Sequence, residues 1–364
     1  MPMKSEMDIS GIAGQIKLNC NISDAGYWGY YSICGLLMRY RDIYMHEHSM
    51  MPWEKVVTEE ITPWIAERET LWQGLEDSGL KELQIGNRSY DPFDVEGIGD
   101  ALKERGLIYG SGYGMFLKPT FFLGYLEGSE ELYDYNVFYV GRELCRDLFA
   151  APTMLQGRCI YLRKDILRII LWEKLLQRSP NKFSGVLDKY FSEFDLDGKD
   201  AYSDGFARRI ELVVNLISKL FVMHEIGEAV EDDYSYDWVC VLGECGDKFV
   251  EIYMRGIKDI LADTSFLGPL NALIKNQDQD LMGFYMVFLE GMRKELFPEI
   301  KDAFRRFIET SEWSLIEEAR VAGYEKACKL REDVLTLRKD SKDQADFITA
   351  LKRYAGNKDR GVVR

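Results

Sequence analysis

From Gly141 to about residue 355 the chain repeats apolar residues at intervals of three and four, broken only briefly, as at Ser179-Pro180, Gly268-Pro269 and Phe297-Pro298. That period is the signature of a helix with one buried face, and proline at the breaks stops or starts each segment. The spacing predicts helices over about 141–149, 163–178, 181–193, 203–232, 245–263, 267–275, 279–295, 298–309, 313–335 and 343–355. No fixed repeat length relates them, which favours one irregular bundle over a solenoid.

Upstream, Ser23-Asp24 reads as an N-cap. Tyr27, Tyr30, Tyr31, Cys34, Leu37 and Met38 then follow at helical spacing as one buried stripe, which reaches Arg41, Met45 and His48 before Pro52 ends it. Further helices are expected at 53–61 and 63–78, with Pro63 at a favourable first position. Residues 81–140 have another texture: a hairpin around Gly86-Asn87, an amphipathic helix from Asp94 to Arg105, and a second hairpin from Phe116–Leu126 and Tyr133–Val140. Gly110-Ser-Gly112-Tyr-Gly114 lacks the lysine and following helix of a phosphate loop, so it reads as a flexible turn. The expected fold is mainly α (α+β), an irregular multi-helix bundle with a small hairpin-containing insert. Its parts would be N-terminal helices at 1–80, an insert at 81–140 with the helix-then-hairpin order of a winged helix, the main helical domain at 141–335 and a charged tail at 336–364.

With 46% hydrophobic residues, the 364-residue chain has ample core material. Its 46 basic against 61 acidic side chains leave a formal charge of −15, which argues against nucleic acid or an anionic membrane as the main partner and leaves metals and small molecules open. Neither a signal-peptide core nor an uninterrupted apolar run of about 18 residues is present, so the expected location is the cytoplasm. The seven scattered cysteines read as reduced, packed thiols, and Cys240 and Cys245 form the only close pair.

Chemistry gathers at the three histidines, all beside carboxylates: His46-Glu47-His48 and His224-Glu225-Ile-Gly-Glu228. Phe206, Ile210, Val213, Val214, Ile217, Leu220 and Phe221 form an apolar ridge whose next members are His224 and Glu228, so that pair shares the inward face of its helix. Imidazole and carboxylate are donors for zinc, iron and manganese, and His48, His224 and Glu228 together would make a two-histidine, one-carboxylate set with open positions. Glu225 and Glu47 are the candidate bases for hydrolysis of a small-molecule substrate by metal-bound water. The stretch His224-Glu225-Ile-Gly-Glu228 resembles the zincin metallopeptidase helix, in which two ligands stand at i and i+4 around a catalytic glutamate. That resemblance implies a zinc held by His224 and Glu228 with Glu225 as base, and it departs from the pattern in placing Glu228 where the second histidine belongs. The competing reading is a non-catalytic interaction or scaffold protein whose His–Glu pairs are buried, charged hydrogen bonds.

Overall fold

The computed structural model describes residues 9–177, 194–196, 203–231, 238, 241–242 and 246–359, and the chain divides into two units. The first comprises residues 1–177 and 195–214, the second residues 178–194 and 215–364.

The first unit begins with α1 (Ile9–Tyr27), α2 (Ile33–Glu47) and α3 (Thr58–Gln73), followed by a hairpin of β1 (Leu83–Ile85) and β2 (Arg88–Tyr90), and by α4 (Val95–Leu102). Five strands come next: β3 (Leu107–Tyr113), β4 (Pro119–Leu132), β5 (Tyr135–Arg146), β6 (Thr153–Gln156) and β7 (Cys159–Arg163), with α5 (Lys164–Leu176) after them. They form one sheet in the order β3-β4-β5-β7-β6, antiparallel except between β5 and β7. Register shifts in the β4–β5 ladder between Leu123 and Gly128 curl this sheet, as bulges do.

This sheet corrects the expectation of a helical bundle with a small insert, and with it the all-α assignment. It is the centre of the first unit. Phe121 and Leu123 pack with Ile12, Ile16 and Cys20 of α1 and with Ile98 and Leu102 of α4, while Phe122 joins Ile108, Val140 and Tyr161 in a separate cluster. The alternation of side chains along β4 separates the two sets. Gly110 stands opposite Phe122 in the ladder, where a Cβ would lie 2.2 Å from the ring. The glycine run is therefore a strand at a close approach, not a flexible turn.

Two further expectations fail here for physical reasons. Residues 141–146 of the helix anticipated at 141–149 are instead the end of β5, and Glu143 and Arg146, buried ions, leave no apolar alternation to read. Ser23 and Asp24 do not start a helix; they lie inside α1, buried, where Asp24 meets Lys118 at 3.0 Å. The helix breaks later, at Trp28–Tyr30, and α2 is capped by Ser32. The stripe read as core is largely solvent-facing: Tyr30, Leu37 and Met38 are 60%, 52% and 52% exposed. Pro63 stands inside the single helix α3 rather than opening a new one.

The second unit is helical among its described residues. It takes residues 215–231 of α6 (Asp204–Glu231), then α7 (Lys248–Thr264), α8 (Pro269–Asn276), α9 (Gln279–Phe288), α10 (Gly291–Leu296), α11 (Pro298–Thr310), α12 (Trp313–Asp340) and α13 (Gln344–Asp359). The long α12 packs against α7, α8, α11 and α13. The segment expected as one helix at 279–295 is split between α9 and α10, and the helix expected at 181–193 lies outside the described residues. So do Cys240 and Cys245; Cys20, Cys34, Cys145, Cys159 and Cys328 are free thiols, of which Cys34 is exposed. No helix among the described residues is long and apolar enough to cross a membrane.

Candidate metal centre

The ridge of α6 is buried as its spacing requires: Phe206, Ile210, Val213, Val214 and Ile217 are fully enclosed and Leu220 nearly so. One turn further on, the same face carries His224 and then Glu228. Helix α7 starts at Asp247, whose carboxylate accepts from the amides of Phe249 and Val250, and its own i, i+4 pair is Asp259 and Asp263. The two helices approach closely at Gly227 and Ala262, where a Cβ on the glycine would meet the Ala262 carbonyl oxygen at 2.3 Å. Since Gly227 precedes Glu228 and Ala262 precedes Asp263, this close approach sets the two polar pairs against each other.

His224 Nδ1 lies 2.7 Å from Asp263 Oδ1. The other oxygen of Asp263 accepts from Tyr285 Oη at 3.0 Å and from Arg293 Nη1 at 3.1 Å, and Arg293 is itself tied to the Phe288 carbonyl. The imidazole is therefore held from behind by a fixed carboxylate. Its Nε2 turns towards Glu228 at 3.6 Å and Asp259 at 3.9 Å, and one donor atom from each of the three residues lies within 4.8 Å of the others. Lys258 Nζ holds the second oxygen of Glu228 at 2.9 Å.

Electrostatics follow from burial and these partners. Burial opposes charge on His224, but Asp263 and Glu228 outweigh it and raise the imidazole well above its ordinary range. Burial also opposes ionisation of Glu228, yet His224 and Lys258 bring its carboxyl down to about 2. Asp263 is lowered likewise, against burial, chiefly by Arg293 and His224. Of the three carboxylates Asp259 alone is raised, by burial, and its side chain is the most exposed of the set at 35%. In formal charge, three carboxylates face Lys258 and Arg293, so a neutral His224 leaves the cluster one negative charge in excess.

The sequence-predicted residues divide between the units. His224 and Glu228 share the site just described, and Glu225, one position on, is 9% exposed. His48 and Glu47 belong to the first unit. His48 is not on a buried stripe but caps α2 in an exposed position, its ring stacked on Tyr44 at 4.0 Å and its Nδ1–H donating to the Tyr44 carbonyl. Glu47 pairs with Lys17 and Arg68 and accepts from the Trp64 indole; burial resists its charge, but Arg68 and Lys17 hold it below the usual carboxylate range. Asp259 and Asp263 were legible only as part of a charged helix containing Arg255 and Lys258. Their spacing, a second i, i+4 pair able to oppose His224 and Glu228, was the available signal.

His46, which its position on α2 would assign to solvent, lines a cavity of about 290 Å³ in the first unit with Arg142, Arg146, Asp165 and Arg168. Burial, then Arg146 and Arg163, push its imidazole from 6.5 down to about 3, against Asp165 and Glu47. The folded form thus stays neutral where an unfolded chain takes up a proton, so His46 contributes stability above pH 6.5 that is lost as pH falls towards 3. Replacing His46 by Gln is expected to flatten that part of the pH dependence of the urea midpoint; equal slopes in the two proteins would refute it.

The chain has two compact units, and two family models match it, dividing it earlier, at residues 163–168, so that most of α5 and the start of α6 fall in the second model. Residues 11–163 match the N-terminal domain and residues 168–353 the C-terminal domain of a family described as a family of unknown function (DUF6866). The chain belongs to that family. No curated protein and no solved structure matches it.

Proposed function

We propose that this chain is a divalent-metal-binding protein whose cation is held in the second unit by His224 Nε2, Glu228 and Asp259. The observation that carries the reading is the hydrogen bond from His224 Nδ1 to Asp263, which leaves Nε2 facing two carboxylates from two helices. Metal-ligating histidines characteristically engage a carboxylate or carbonyl through their second nitrogen, which fixes tautomer and direction and raises ligand basicity. Arg293 and Tyr285 fix that carboxylate in turn. One nitrogen and two carboxylate oxygens suit zinc, iron or manganese. Three protein donors leave positions for water, and Asp259 reaches solvent, so the reaction class the donor set supports is hydrolysis of a small molecule by metal-bound water.

The second reading rests on the Lys258–Glu228 pair and the His224–Asp263 bond, which alone would serve as a charged lock between α6 and α7. Metal analysis of tag-free protein purified without chelator separates the two. Binding predicts close to one equivalent, falling below about a tenth in His224→Ala with the fold retained. Metal-free wild-type protein that also takes up no added zinc, iron or manganese would leave only the lock.

A further inference from the structure

We propose that Lys258 is a tethered competitor of the metal: its ammonium draws on the Glu228 carboxylate that a divalent cation would use, and so sets how tightly that cation is held. This rests on the reading of His224, Glu228 and Asp259 as the ligands and adds what opposes them.

Glu228 lies on α6, and Lys258 lies on α7 directly before Asp259. Lys258 Nζ stands 2.9 Å from Glu228 Oε2, while Oε1 is the oxygen 3.6 Å from His224 Nε2. One carboxylate is thus divided between an ammonium and an imidazole. Two ligands of a tetrahedral metal with bonds of about 2.1 Å lie about 3.4 Å apart. The distances from His224 Nε2 to Glu228 and Asp259, 3.6 Å and 3.9 Å, are near that value. Charge, more than shape, is therefore what the ion must overcome. A divalent cation at one oxygen of a carboxylate and an ammonium at the other stand roughly 5 Å apart, and their repulsion lowers affinity about tenfold even in a high dielectric.

The other nearby cations are committed away from the ligands: Arg293 pairs with Asp263 and Arg255 with Glu251. Lys258 is also able to yield. Its side chain is 30% exposed, on a flexible stem whose ammonium is strongly hydrated in water. Coupling is reciprocal, so a metal on Glu228 loosens Lys258 by the factor that Lys258 weakens the metal. A monovalent ion offers Glu228 no more charge than the ammonium does, and the lysine thereby favours divalent cations.

The test is the zinc affinity of the full chain, measured against a chromophoric chelator at one pH, for wild type, Lys258→Gln and Lys258→Arg, with urea unfolding of each. Lys258→Gln should bind zinc at least about tenfold more tightly, and its urea midpoint should fall because Glu228 has lost a partner. A lysine that only ties α6 to α7 would lower both quantities. Arginine keeps the charge and grips a carboxylate with two donors, so Lys258→Arg should bind zinc no more tightly than wild type. The proposal is overturned if Lys258→Gln binds zinc no better than wild type, or if Lys258→Arg gains as much as Lys258→Gln. Zinc uptake by the glutamine variant alone would overturn the reading of the wild-type protein as a metal binder and uphold the competitor. Uptake by none of the three would overturn both.

Discussion

Replacing Arg163 by Leu is expected to remove about 3–5 kcal/mol of stability from the first unit, because it strands a buried charge. Arg163 has no solvent exposure and sits at the end of β7, where its Nε and Nη2 both bond the carboxylate of Glu143 and its guanidinium lies 4.6 Å from the Phe122 ring centre. Glu143 is 2% exposed, and after the substitution only Arg146, at 3.6 Å, would remain beside it. That contact is too long to replace a bidentate pair. Urea unfolding followed by tryptophan fluorescence measures the loss and weights the correct unit, since Trp28, Trp53, Trp64, Trp72 and Trp172 all lie there. The double variant with Glu143→Leu should recover part of it, giving a coupling of at least about 1 kcal/mol. Additive losses would mean that the pair is not the cause.

The same pair explains why the sheet was hard to read. A strand announces itself by alternation of apolar and polar residues, and β5 breaks the rule by burying Glu143, Arg146 and, just beyond, Asp147. Leu144, Cys145 and Leu148 meanwhile fall at intervals that imitate a helix. In β4 the register shifts at Gly124 and Leu126 interrupt the period a second time. The opposite error arose in α2, where Leu37 and Met38 have the spacing of a core stripe but face solvent. Periodicity reports that a helix has an apolar side, not that something covers it.

Most of the described helices after residue 163 were legible because their buried faces are largely apolar, and α6 shows why its polar pair could be placed. Phe206 through Leu220 fix the phase of the helix, so the facing of His224 and Glu228 follows from 3.6 residues per turn. Their partners could not be placed in the same way. Asp259 and Asp263 lie on a helix rich in charge, and which of its acids meets the histidine depends on where α6 and α7 cross. That crossing is set by Gly227, a residue whose role appears only when the opposing backbone is seen.

If the site proposed at His224, Glu228 and Asp259 holds a metal, Gly227→Ala is expected to weaken its binding by about 10–100-fold, the range found when a ligand's supporting shell is disturbed. Glycine to alanine inside a helix ordinarily stabilises, by about 0.5–1 kcal/mol, because the unfolded chain loses freedom. At Gly14 in α1, where an added methyl meets nothing within 4 Å, that gain should be seen. At Gly227 the sign reverses. The methyl would lie 2.3 Å from the Ala262 carbonyl oxygen and 2.9 Å from its carbon, both backbone atoms that no rotamer change can move, so α6 and α7 must part by roughly an ångström to restore ordinary contact. The cost in stability is about 1–3 kcal/mol, as for other overpacked contacts. The cost at the site is larger in effect, because metal–ligand distances tolerate only about ±0.2 Å and the separation carries Asp259 and Asp263 away from His224 together. Titration with zinc in competition with a chromophoric chelator, alongside urea unfolding of the Gly14→Ala and Gly227→Ala proteins, measures both quantities. Equal stabilisation by the two substitutions would show that the helices are not in contact at Gly227, and the facing of the two polar pairs would then need another cause.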